Sequence, residues 1–360
     1  MSVGPALLTS AFPAQERGRA LGLNAVFVAL GVSIGPTLGG VILAAWSWHG
    51  IFYVNLPLGL IGIVATVRVL PGWTVRQAGA FDPFGALVLA LGMAGLTAGL
   101  SFGQALGWSS VPILGMLTAG VLALLVLPLI ERRVRSPIMV LSLLRHRVFS
   151  SALVSLLLSY LALFAVSFLM PFYLEQLRHF STAQAGLLLT PVPLTLAVVA
   201  PLSGVLADRF GSRWLAAGGL TLACSGLVLL SQLDARSSPG DIVWRLVLTG
   251  IGQALFQSPN NSALLGAAPD EQRGSASGLL AIGRILGQSL SIALAGALFA
   301  SLGGSTAGQL LATKTYVAQT AHLEQVFTGS FHTTFLVCAG IAALGILASL
   351  VRSPGERKHT

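Results

Sequence analysis

Gly204-Val-Leu-Ala-Asp-Arg-Phe-Gly-Ser-Arg213 gathers one acid and two bases between two long apolar stretches, in a chain of which 9% is charged. Asp208 is suited to accept from exposed amides at a helix N-terminus, and Gly204 and Gly211 let two helices turn within a few residues. Charge is expensive where apolar spans meet, so such a cluster suits a moving contact; the plainer reading is a topology anchor. A second charge is harder to place. Arg284 sits about eleven residues into an apolar run, hence about 16 Å deep. It must meet water, an acid or backbone carbonyls. It either lines a cavity for an anionic or polar group, takes part in proton coupling, or pins its helix through carbonyls. Arg245, one turn into its run, reads as a snorkelling anchor.

Polar and aromatic residues on other apolar runs could face the same interior: Asn24, Phe27, Tyr160, Phe164, Phe168, Gln253, Phe256, Gln257, Asn260 and Gln288. A stripe such as Tyr160, Phe164 and Phe168 also suits plain packing. Gly31, Gly35 and Gly39 fall on one helical face, where a neighbouring backbone can approach closely, and Pro36 bends the helix. None of the eleven acids lies in mid-span, and all six histidines lie in loops or at helix ends. No phosphate-binding Gly-Lys-Ser/Thr occurs. Catalysis, metal binding and ATP drive find no support in these patterns, and neither a metal nor a cofactor is expected. Cys224 and Cys338 lie in apolar runs and read as small core residues.

These residues must be positioned by membrane helices. Of 360 residues, 54% are hydrophobic, more than a soluble domain can bury. The expected fold is all-α and polytopic, its partner the lipid bilayer. Ten segments can span, at roughly 18–44, 50–70, 83–103, 111–130, 149–173, 183–207, 213–232, 242–267, 274–300 and 332–351, and residues 1–12 read as a partial first helix. The formal charge of +9 is spread singly through loops, which excludes a nucleic-acid face. Fifteen Lys and Arg residues fall on one side, against Arg178, Arg236 and Lys314 on the other. The positive-inside rule therefore puts the C-terminus in the cytoplasm.

An internal repeat is legible. Pro13-Ala-Gln-Glu-Arg-Gly18 recurs as Pro269-Asp-Glu-Gln-Arg-Gly274, and at the same offset Gly22, Leu23, Gly31 and Gly40 match Gly278, Leu279, Gly287 and Gly296. Repeats of this kind build transporters. Eight spans separate the copies, so a surplus pair, 83–103 and 111–130, stands between two bundles. Residues 1–72 are expected to form the end of a first bundle, 73–135 two linker helices and 136–360 a six-helix second bundle. By the same offset, a complete first bundle needs about 110 further residues in front.

The run Gly204–Arg213 resembles the Gly-x-Leu-Ala-Asp-Arg-x-Gly-x-Arg signature of the major facilitator superfamily. Gly31-Val-Ser-Ile-Gly-Pro-Thr-Leu-Gly-Gly40 resembles the antiporter motif of that family's drug/proton exporters. Trp46-Ser-Trp48 with Ile51 to Gly59, Asp82-Pro-Phe-Gly85, Ser136-Pro-Ile and Leu144-Arg-His-Arg-Val-Phe149 extend the resemblance over nearly the whole chain, to its fourteen-helix EmrB/QacA branch. Where the family usually has Arg-Trp, His49-Gly50 stands instead. The resemblance implies a major facilitator fold and alternating-access efflux of amphipathic drugs, antibiotics or metabolites. Efflux would run against protons across a bacterial inner membrane, driven by the proton gradient, with a periplasmic adaptor protein as partner. It implies a cytoplasmic latch of Asp208, Arg209, Gly211 and Arg213 against Arg17, and an antiport helix carrying Gly31, Gly35, Pro36, Gly39 and Gly40. The protonated carboxylate would lie in helices upstream. The rival expectation is an inert remnant, or a membrane protein that depends on a partner.

Overall fold

The structure, a computed structural model, describes residues 12, 27, 31, 35, 38–39, 42, 46–69, 82–131, 134, 141–269, 272–313 and 319–351, with the side chains of 48, 69, 104, 105, 141, 208 and 210 excepted. Arg17, Asn24, Pro36, Gly40 and most of the expected 18–44 span lie outside the described residues. Among the described residues the regular structure is all helical, without strands. Eight helical segments among them are long and apolar enough to cross a bilayer.

Helices α1 (Trp48–Tyr53) and α2 (Asn55–Val69) divide the expected 50–70 span at Val54. Helices α3 (Pro83–Leu106) and α4 (Val111–Glu131) pair as an antiparallel hairpin. Asp82 caps α3, its Oδ1 accepting from the Gly85 amide at 2.9 Å, and Pro83 fills the first helical position, where no amide is needed. The remaining helices are α5 (Arg147–Phe172), α6 (Thr182–Leu189), α7 (Pro191–Phe210), α8 (Ser212–Ser231), α9 (Pro239–Gly266), α10 (Arg273–Ser301), α11 (Gly304–Thr313) and α12 (Thr320–Leu350). They pack as one bundle, in which α8 lies on α9 and α12, α5 on α10 and α12, and α9 on α7.

Three expectations change. The 183–207 span is two helices, because Pro191 has no amide to continue α6 beyond Thr190. The last helix starts at Thr320, well before 332. Its first turns carry His322, Glu324 and Gln325, so hydropathy alone misses them. The amphipathic α11, too short to span, occupies a segment expected to be loop. The core is aromatic at this end of the bundle. Phe327, Phe331 and Phe335 repeat at every fourth position of α12. Phe331 stacks on Tyr173 at 5.1 Å, and Phe327 meets Phe299 edge-on at 5.1 Å.

Candidate functional site

Helix α9 is 28 residues long yet is not among the eight apolar spans. Gln253, Gln257, Asn260 and Asn261 lower its hydropathy. A helix of this polarity in a bilayer must turn those groups to protein or water. Gln257 and Asn260 turn toward α5. Asn260, fully buried, donates to the Ala152 carbonyl at 3.1 Å and accepts from Ser155 Oγ at 3.3 Å, stapling α9 to α5. It is therefore a structural residue rather than part of a cavity lining. Phe256 is core in the same way, and Phe168 packs against the core, edge-on to Phe172 at 5.4 Å.

One turn from Asn260, Gln257 donates its amide to the hydroxyl of Tyr160, which is 8% exposed. The Tyr160 ring in turn lies under Arg284, with the guanidinium carbon 5.5 Å from the ring centroid. A contact of this kind contributes about 0.5–2 kcal/mol, more as water is excluded. Gly287 makes it feasible. A Cβ there would stand 2.7 Å from Tyr160 Cβ and 2.9 Å from the Leu157 carbonyl oxygen, so only a glycine lets α5 and α10 approach this closely. Arg284 is half-buried, and its Nε is shielded from solvent without a hydrogen-bond partner. Helices α5 and α10 contain no acid. The single acid of α9, Asp241, is held in the first turn by Ser238 and Trp244. Three expected cavity residues are thus brought into one cluster from three helices, with Gln253, Gln288 and Phe164 half-buried one turn away.

Elsewhere the placement differs from expectation. Gly204 lies inside α7, and the turn to α8 is a single residue, Gly211, at φ 84° and ψ 142°. By its backbone Asp208 sits in the last turn of α7, and its side chain is not among those described. Arg209 is exposed, and Arg213 lies 5.3 Å from the Trp214 ring. Arg17, its expected counterpart, is not described. Gly31 and Gly35 are exposed, and among the described residues nothing lies within 4 Å of where a Cβ would stand at Gly31, Gly35 or Gly39. Phe27 is exposed. Arg245 covers the Trp244 ring at 5.4 Å, while its Nε and Nη1 are buried without partners. Cys224 and Cys338 are free thiols.

Sequence reasoning missed a clasp at the other end of α5. There Tyr173 donates to the Asp234 carbonyl at 2.7 Å, and Arg178 donates to that of Ala235. A buried tyrosine at the end of an apolar run was the available signal, since its hydroxyl needs a partner.

An all-helical bundle of bilayer-crossing length, holding a cation among polar side chains at mid-depth, has the make-up of a polytopic carrier. The sequence profile of the Major Facilitator Superfamily matches residues 1–181 and 152–360, and the chain belongs to that superfamily. It is 32% identical over 297 residues to the multidrug resistance protein Stp of Mycobacterium tuberculosis, covering 82% of this chain and 55% of Stp. It is 31% identical over 361 residues to the riboflavin transporter RibZ of Clostridioides difficile, covering 97% of this chain and 71% of RibZ. The chain spans between about half and two thirds of the length of several curated relatives it matches. Among solved structures, a bacterial homologue of the human lysosomal transporter Spinster, inward-facing and occupied, shares the fold at a TM-score of 0.52 and 16% identity, over 96% of this chain and 71% of that one.

Proposed function

We propose that the chain serves in proton-coupled efflux of amphipathic drugs, antibiotics or metabolites, as a fourteen-helix major facilitator of the drug/proton antiporter branch. The observation that carries this is the Tyr160–Gln257–Arg284 cluster: three helices bring an aromatic ring, an amide and a half-buried guanidinium together inside an apolar bundle. Such a charge would cost at least several kcal/mol without water or a ligand nearby. Names borne by relatives, multidrug resistance for one and riboflavin transport for another, support a small-molecule cargo. In this reading residues 136–360 form the second bundle, 73–135 the two linker helices and 1–72 the end of the first bundle. The bundles rock about the cluster. Asp208, Arg209 and Arg213 latch against Arg17 on the cytoplasmic side of the inner membrane, and the Gly31–Gly40 helix governs the antiport. The coupling carboxylate belongs to the first bundle, since the second has no acid at mid-depth.

The test is the protein with its complete first bundle, purified into proteoliposomes carrying an imposed pH gradient. Dye movement that a protonophore abolishes supports the reading, and movement indifferent to the gradient sinks it. A second reading, a partner-dependent membrane protein, is favoured by α2. Its apolar side chains from Leu56 to Val67 are largely exposed, and among the described residues it packs mainly on α1. Gradient-independent behaviour together with a co-purifying membrane partner would favour that alternative.

A further inference from the structure

We infer that the Tyr160–Gln257–Arg284 site selects planar aromatic anions over aromatic cations, an inference that rests on the efflux reading above and adds the charge of its cargo. Three features converge. First, the field at the site has one sign. Arg284 is the mid-depth charge of α5, α9 and α10, no acid stands on α5 or α10, and Asp241 is far along α9 and already bonded to Ser238 and Trp244. Low-dielectric walls focus such a field, so it attracts an anion and repels a cation.

Second, the two groups that meet at the ring, Arg284 and Tyr160, both have donor capacity left over. The Nε–H of Arg284 is buried and unused. The Tyr160 oxygen already accepts from Gln257, which leaves its hydroxyl proton for an acceptor. A carboxylate or phenolate offers acceptors only, and charge-assisted bonds of this kind are about twice as strong as neutral ones. Third, one turn on from Tyr160, whose own ring is covered by Arg284, half-buried Phe164 offers an aromatic ring. Rings of this kind stack on planar aromatic bodies.

Two xanthene dyes share a skeleton and differ in charge: fluorescein, an anion at mildly alkaline pH, and rhodamine 123, a cation. Fluorescence anisotropy of each with the purified chain in nanodiscs measures Kd. Fluorescein is expected to bind at least about tenfold more tightly. Arg284→Gln should weaken fluorescein about tenfold or more and strengthen rhodamine 123, whereas Arg284→Lys should keep the order of preference. Thermal melting of each variant checks that it is folded. If Arg284→Gln does not fold, the wild-type preference and Arg284→Lys still decide. Equal affinities, tighter rhodamine 123, or a Gln variant that weakens both dyes alike would overturn the inference. Transport of the same dyes in proteoliposomes separates the two levels. Gradient-driven movement of rhodamine 123 but not fluorescein would leave the efflux reading standing and sink this inference. Movement of neither dye would sink both.

Discussion

Replacing Gly287 with alanine adds one methyl at the point where α5 and α10 touch. That methyl would stand 2.7 Å from Tyr160 Cβ and 2.9 Å from the Leu157 carbonyl oxygen, whereas ordinary contacts begin at 3.4 Å. Neither neighbour is the end of a flexible side chain, so α5 itself must retreat by several tenths of an ångström. Overpacking of this kind costs about 1–3 kcal/mol. Alanine also gains about 0.5–1 kcal/mol over glycine within a helix, so the net loss should be at most about 2.5 kcal/mol, and about 1 kcal/mol at mid-range. The control lies on the same helix. A Cβ at Gly278 meets nothing within 4 Å, so Gly278→Ala should be neutral or stabilising by up to about 1 kcal/mol. Unfolding in detergent, followed by circular dichroism, compares the two variants. Retreat of α5 also draws the Tyr160 hydroxyl from Gln257, so Gly287→Ala should bind dye more weakly than Gly278→Ala. Equal stability and equal binding in the two variants would refute the argument that this glycine positions the site.

Gly211→Ala places an L-residue at φ 84° and ψ 142°, a region nearly confined to glycine, and should lower unfolding free energy by about 1–3 kcal/mol in the same assay. Asn260→Ala removes one donor from the Ala152 carbonyl and one acceptor from Ser155, which keeps its bond to the Ser151 carbonyl, and a loss of about 0.5–1.5 kcal/mol is expected, with reduced yield from membranes. Asp234 lies in the loop between α8 and α9. Slight burial pushes its carboxyl up, but the Ser237 hydroxyl and the amides of Arg236 and Ser237 outweigh this and hold it below the usual range. Its folded value is therefore lower than its unfolded one. The stabilisation is complete above the ordinary carboxylate value and is lost as pH falls through the lower folded value. Melting curves below about pH 4 should show wild type losing stability relative to Asp234→Asn; parallel curves would contradict that assignment.

The fold was legible wherever hydropathy and punctuation agree. The spans that became α3, α4, α5, α8, α9 and α10 stand close to where apolar runs between charged loops put them. What escaped has identifiable causes. α11 is too short to span, and the polar first turns of α12 resemble a loop to any hydropathy window. The α6–α7 break needed Pro191 to be weighed against a continuous apolar run. Within the site, Arg284 was legible because an isolated charge at mid-span is costly. Its neighbours were not separable by type. Gln257 and Asn260 are both polar residues of α9, three positions apart, and both bond to α5, one to the Tyr160 side chain and the other to the Ala152 carbonyl and Ser155. Only the place along α5 that each meets distinguishes them. The glycine at 287 was visible as a repeat match to Gly31, but its role in admitting Tyr160 depends on a contact between helices more than a hundred residues apart in sequence.

The claim on which the rest stands is that the α5–α9–α10 face is a water-filled, substrate-contacting surface. With Cys224 and Cys338 replaced by serine, single cysteines at Gln253 and Gln288 can be challenged in reconstituted membranes with a membrane-impermeant maleimide. The account predicts that both positions are labelled, and that bound dye slows the reaction at each. Labelling only by a lipid-soluble reagent, or labelling that dye leaves unchanged at both positions, would contradict it.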